Sequence, residues 1–201
     1  MSCQKKIQIE DIIYTANTDF RIAIECNRIA QDETIGDFER VLGIICTIFG
    51  NEALDKCKDH PTHYEKLFDW ILKYLSCGKE LNEINEETPD MDYIEDYDYI
   101  VASFQSDYSI NLDKEEDMDW HRFFSLMNGL SNSDIGNCCV LNRIRNLRNI
   151  NPAEIEDDEQ RLKIIKAQKQ VALKRKEKEE EVELTEEQQK SVDEFYKALG
   201  F

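Results

Sequence analysis

Residues 90–104 read DMDYIEDYDYIVASF, and the fold depends on whether this run is a metal cradle, a catalytic carboxylate cluster or the start of a helix. Tyr97, Ile100, Val101, Phe104 and, further on, Tyr108 recur at i, i+3, i+4, i+7 and i+11, the spacing of one face of an α-helix. Asp92, Glu95, Asp96 and Asp98 then fall mainly in the first turns. Carboxylates there interact favourably with the positive end of the helix dipole, by roughly 0.3–1 kcal/mol each when exposed. A calcium loop counted from Asp90, Asp92 or Asp96 would lack its central glycine and its terminal bidentate glutamate. Neighbouring carboxylates on a helix also splay around its circumference. The stretch therefore reads as a helix start with a buried stripe and a solvated acidic face.

Working outward, the same period recurs on both sides. Upstream, an acidic linker (79–90) separates this helix from three others. One is capped by Asn17 or Thr18 and carries Phe20, Ile24 and Ile29. A second, from about Asp37, carries Phe38, Val41, Leu42, Ile45, Ile48 and Phe49 and ends at Gly50. The third starts at a Thr62–Glu65 capping box, buries Tyr64, Leu67, Phe68, Ile71 and Leu75, and stops at Gly78. Ile7, Ile9, Ile12 and Ile13 at the start fit a strand. Downstream, Trp120, Phe123, Phe124 and Met127 mark a helix closed by Gly129. A further helix, capped by Ser131 or Ser133, runs through Ile135, Cys139, Leu141, Ile144 and Leu147. Asn151-Pro152-Ala153-Glu154 has the chemistry of a helix start, and a helix of about 30 residues from there would span some 45 Å.

The expected fold is mainly α: a compact domain of about six helices, a long C-terminal helix or arm, and a short terminal amphipathic helix. Residues 1–173 form the helical domain, 174–184 a charged helical arm, and 185–201 the terminal helix, with Val192, Phe195, Tyr196 and Leu199 on one face.

Composition narrows the function. In 201 residues, 43 acidic side chains against 25 basic ones leave a net charge of −18. That charge opposes binding to nucleic acid or to an anionic membrane surface. No run of apolar residues is long enough to span a bilayer, and MSCQKKIQIEDIIY lacks the apolar core and cleavage site of a signal peptide. Seven cysteines without a C-x-x-C spacing read as reduced thiols. A soluble cytoplasmic protein is expected.

Cys57-x-x-His60-x-x-His63, with Cys77 able to complete four ligands, comes nearest to a metal set. That spacing is not a common closed zinc pattern. Pro61 and Thr62 place both histidines at a helix start, so no metal ligand and no cofactor is assigned. His121, near Asp117 and Asp119, reads as structural. Phosphate loops, nucleophile elbows, zinc-protease and kinase signatures are missing. No catalytic residue is assigned and an enzyme is not expected.

Several ordered motifs carry a resemblance: Asn17-Thr18-Asp19-Phe20-Arg21; Ser76-Cys77-Gly78-Lys79-Glu80; Asp96 to Phe104, followed by Tyr108-Ser109-Ile110-Asn111-Leu112; and Met118 to Leu130. Over roughly residues 16–173 the chain resembles the bacteriophage gene-product-fifteen family of tail modules in phages and prophages of Gram-positive bacteria. Where that family tends to have two aromatic residues this chain has Trp120-His121, and where it has an aromatic-Arg pair this chain has Asn142-Arg143.

The resemblance implies a non-enzymatic tail assembly chaperone in the bacterial host cytoplasm. Its implied partners are the tape-measure protein or the tail tube protein, with self-association left open and neither nucleic acid nor membrane among them. Trp120, Phe123, Val192, Phe195, Tyr196 and Leu199 are the candidate partner contacts. A structural tail component kept in the particle is the alternative, and a metal-dependent enzyme using the acidic stretch is the third class.

Overall fold

In the computed structural model, which describes residues 3–79, 90–132 and 138–174, the apolar start forms two strands, not one. β1 (Gln4–Ile9) pairs antiparallel with β2 (Ile12–Asn17), Ile7 opposite Tyr14 and Ile9 opposite Ile12, around a turn at Glu10 and Asp11. Alternation sends Ile9, Tyr14 and Ala16 inward, where all three are buried, and leaves Ile13 53% exposed. Helices follow at Phe20–Ala30 (α1), Asp37–Phe49 (α2), Asn51–Asp59 (α3), Thr62–Leu75 (α4), Tyr97–Tyr108 (α5), Trp120–Asn128 (α6), Val140–Asn149 (α7) and Asp158–Val171 (α8). Short 3-10 turns lie at Leu112–Lys114 and Pro152–Glu154. The chain is mainly helical, as expected, but it has eight α-helices among the described residues where the expected number is about six.

Three local expectations are corrected. Gly50, at φ +78°, ends α2 as predicted, but the chain re-enters a helix at once. The resulting α3 buries only Ala53 and Cys57, too short a stripe to read as periodicity. Thr62 does not cap α4: it is already helical behind Pro61, and no side chain caps that end. Turn bonds from His63 N–H to His60 O (2.9 Å) and Tyr64 N–H to Pro61 O (3.3 Å) carry α3 directly into α4.

The third correction is the long C-terminal helix. Pro152 opens only a 3-10 turn: Asn151 Oδ1 caps its start, accepting from Ala153 N–H (3.1 Å), and the turn ends where Ile155 is extended. Asp157 then caps α8, accepting from Gln160 N–H at 2.7 Å. This helix has 14 residues and ends where Ala172 turns extended and Leu173 is buried. The arm 174–184 beyond Lys174 and the terminal helix 185–201 lie outside the described residues.

Two hydrophobic clusters share the walls of α1 and α4. The first joins the hairpin to α2, α3 and α4 through Tyr14, Ile45, Ile48, Cys57, Leu67 and Ile71. The second gathers Phe20, Tyr74, Ile100, Phe104, Met118, Phe123 and Leu141. The stripe predicted on α5 does its part here, with Ile100 and Phe104 fully buried. A backbone bridge locks the starts of α1 and α6 together: Phe20 N–H donates to Met118 O (3.1 Å) and Trp120 N–H to Thr18 O (3.0 Å). Asp19, not Asn17 or Thr18, caps α1, accepting from Arg21 N–H, and Asp119 caps α6, accepting from Arg122 N–H.

Candidate functional site

Trp120 and Phe123, proposed from sequence as partner contacts, belong to the interior. Trp120 is 5% exposed and Phe123 is sealed. Phe123 stacks between Phe20 (centroids 4.7 Å) and Phe104 (5.2 Å), and Trp120 Nε1 donates to Leu75 O at 3.0 Å. In this fold both are covered by the chain's own residues. Helical spacing marks a buried face but does not say what covers it, so only tertiary packing could separate core from contact. His121 is structural too: it stacks on Tyr74 at 4.6 Å, and its Nε2 donates to Tyr74 O at 2.9 Å.

The acidic stretch is more than a solvated face. Asp92 Oδ1 caps the turn before α5, accepting from Ile94 N–H (2.7 Å) and Glu95 N–H (2.9 Å). Asp96, 1% exposed, forms a two-pronged ion pair with Arg148, from Nη1 to Oδ2 at 2.7 Å and from Nη2 to Oδ1 at 2.6 Å. Arg148 also donates to Val171 O (2.6 Å) and Asp90 O (3.0 Å). Asp90 takes Arg145 at 3.0 Å; burial disfavours its charged form, but Arg145 and a hydrogen bond from Asn149 together hold the carboxyl below its ordinary range. Glu95 accepts from Lys174 N–H at 3.1 Å. The carboxylates thus clamp α7 and the end of α8 onto α5. Sequence reading missed Arg145 and Arg148 because their partners lie more than 50 residues upstream.

A different set of metal-ligating side chains converges at the corner between α3 and α4. Glu10, His60 and His63 bring one ligand atom each within 4.8 Å of the others. The Lys66 ammonium, 2.8 Å from Glu10 Oε1, keeps that carboxyl below its usual range. Cys57 is not in the set. Its buried Sγ lies 3.9 Å from the Tyr14 hydroxyl, which burial and Cys57 push up to about 12. Cys77 packs against the other hydrophobic cluster. All seven cysteines are free.

The motifs that carried the resemblance meet in the molecule. Asp19-Phe20-Arg21 abuts Met118-Asp119-Trp120 through the backbone bridge, and Arg21 Nη2 donates to Leu112 O and Glu115 O, both at 2.6 Å. The sequence model of the bacteriophage Gp15 protein family matches residues 3–173. The chain belongs to the bacteriophage Gp15 family. No curated protein and no solved structure matches it. In this Gp15 family member the exposed large apolar side chains among the described residues are Ile13, Phe38, Ile94, Ile150 and Leu162, with Phe38 the most open at 71%. No helix among the described residues is long and apolar enough to cross a membrane. Val192, Phe195, Tyr196 and Leu199 lie outside the described residues.

Proposed function

We propose that this Gp15 family member is a non-enzymatic tail assembly chaperone, working in the bacterial host cytoplasm on the tape-measure protein or the tail tube protein. The family match over residues 3–173 carries the reading, since it supports a structural or morphogenetic role in a phage. Two physical features are in keeping with it. A net charge of −18 lets a bound coat of this protein keep a long, aggregation-prone partner dispersed by like-charge repulsion. Two carboxylates of the acidic stretch, weighed above as a catalytic cluster, are engaged by Arg145 and Arg148 within the fold.

With Trp120 and Phe123 covered, the partner contacts fall to Val192, Phe195, Tyr196 and Leu199, whose sequence spacing is that of one apolar helical face, a pattern that suits a partner's groove. Co-expression with the tape-measure protein of the same phage should keep that partner soluble, and deleting residues 185–201 should weaken the effect. Failure to bind either the tape-measure or the tube protein would overturn the proposal. Mass spectrometry of purified tails separates the chaperone, which should be absent, from a structural component, which should be present.

A further inference from the structure

The geometry points to a divalent zinc-type metal site formed by Glu10, His60 and His63, which staples the hairpin turn to the α3–α4 corner. His63 is sealed from solvent, yet its Nε2 has no hydrogen-bond partner. A buried polar atom left unpaired in a native core is uncommon and calls for a partner, whether water, a ligand or an ion. That nitrogen faces Glu10 Oε2 at 3.5 Å, while Lys66 occupies the other carboxylate oxygen. Beside it the His60 ring stacks on His63 with centroids 5.0 Å apart.

Ligands 2.0–2.1 Å from a tetrahedral zinc lie about 3.3 Å from one another. The Glu10–His63 pair is already close to that spacing, and the whole set falls within 4.8 Å. Glu10 and His60 are exposed, so rotation of their side chains can close the remaining gap onto the fixed His63.

The donor set defines the ion. Two imidazoles and one carboxylate suit zinc or a similar first-row divalent cation, whereas calcium and magnesium take oxygen ligands. Behind His63, the Tyr14 hydroxyl lies 2.8 Å from Nδ1. When Nδ1–H donates to Tyr14, Nε2 presents its lone pair to the metal, an outer-sphere contact of the kind that orients metal-binding histidines. The Tyr14 proton can then turn toward Cys57 Sγ. Three protein ligands leave a fourth position for water. The opposite tautomer, with Nε2–H aimed at Glu10, would need no metal.

The test uses the full-length, tag-free chain with zinc as the probe, competed against a chromophoric chelator. One zinc per chain is expected, with a rise in Tm on saturation. Glu10→Gln and His60→Asn, both at exposed positions that leave the core intact, should each weaken binding by about tenfold or more and abolish the rise in Tm. His121→Gln should bind as the wild type does. Cobalt(II) should give a tetrahedral spectrum without thiolate charge transfer. The assignment is overturned if the wild type binds no stoichiometric zinc, if Glu10→Gln and His60→Asn bind as tightly as it does, or if a thiolate band shows that cysteines hold the ion.

Discussion

Replacing Asp96 with alanine removes one half of an ion pair that water barely reaches: the Asp96 side chain is 1% exposed and that of Arg148 7%. The guanidinium would lose both carboxylate bonds, and Asp92 N–H would lose its acceptor, now 3.0 Å away at Asp96 Oδ2. Removing one partner of a buried pair typically costs about 3–5 kcal/mol, because a charge is left buried without compensation. Here Val171 O and Asp90 O still accept from Arg148, at 2.6 and 3.0 Å, which favours the lower end of that range. A loss of about 3 kcal/mol raises the unfolding constant roughly a hundredfold. Urea unfolding followed by far-UV circular dichroism would show it as a lower midpoint at unchanged slope. Combining Asp96→Leu with Arg148→Met removes both charges and should recover much of the deficit. A cost for Asp96→Ala under about 1 kcal/mol, typical of solvent-exposed pairs, would refute the argument that this contact is buried and structural.

Phe123→Ala should cost about 3–5 kcal/mol of stability, as expected for a large aromatic side chain lost from a core, and urea unfolding measures it. A near-neutral result would put Phe123 back among the surface contacts. Asp90 should give a pH signature. Arg145 and Asn149 hold its carboxyl below the ordinary 3.8 despite partial burial, so its contribution is complete above about pH 5 and is lost as pH falls through the lowered folded value. The stability gap between wild type and Asp90→Asn should therefore shrink below that pH in urea melts. A gap that stays constant into acid would show that the Arg145 contact does not perturb Asp90.

Much of the helical architecture is legible from the chain itself. Periodicity marks α2, α4, α5 and α6 because each carries apolar residues at 3.6-residue spacing, a signal that needs no partner to be read. It fails for α3, which shows only Ala53 and Cys57 to the core. It also overruns at Pro152, where Asn151 caps the start as expected but the extended Ile155 ends the turn before an α-helix forms. Capping chemistry is ambiguous where several polar residues stand in a row: Asn17 or Thr18 is the expected cap, but Asp19 accepts from Arg21 N–H and caps α1.

The candidate sites divide along the same line. Trp120 and Phe123 announce an apolar face in any reading, but only the stacking of Phe123 between Phe20 and Phe104 assigns that face to the interior. The carboxylates of residues 90–98 are plain in the sequence. Their engagement depends on α7 returning across α5 to deliver Arg145 and Arg148, since ion-pair geometry is set by folding and not by spacing along the chain. The helical class, the acidic character and the motifs of the Gp15 family are written in the chain, because composition, periodicity and local order are properties of neighbouring residues. The tertiary structure alone decided that Glu10, at a hairpin turn 50 residues before His60, shares a corner with His60 and His63, because convergence of distant side chains exists only once the hairpin packs on α3 and α4.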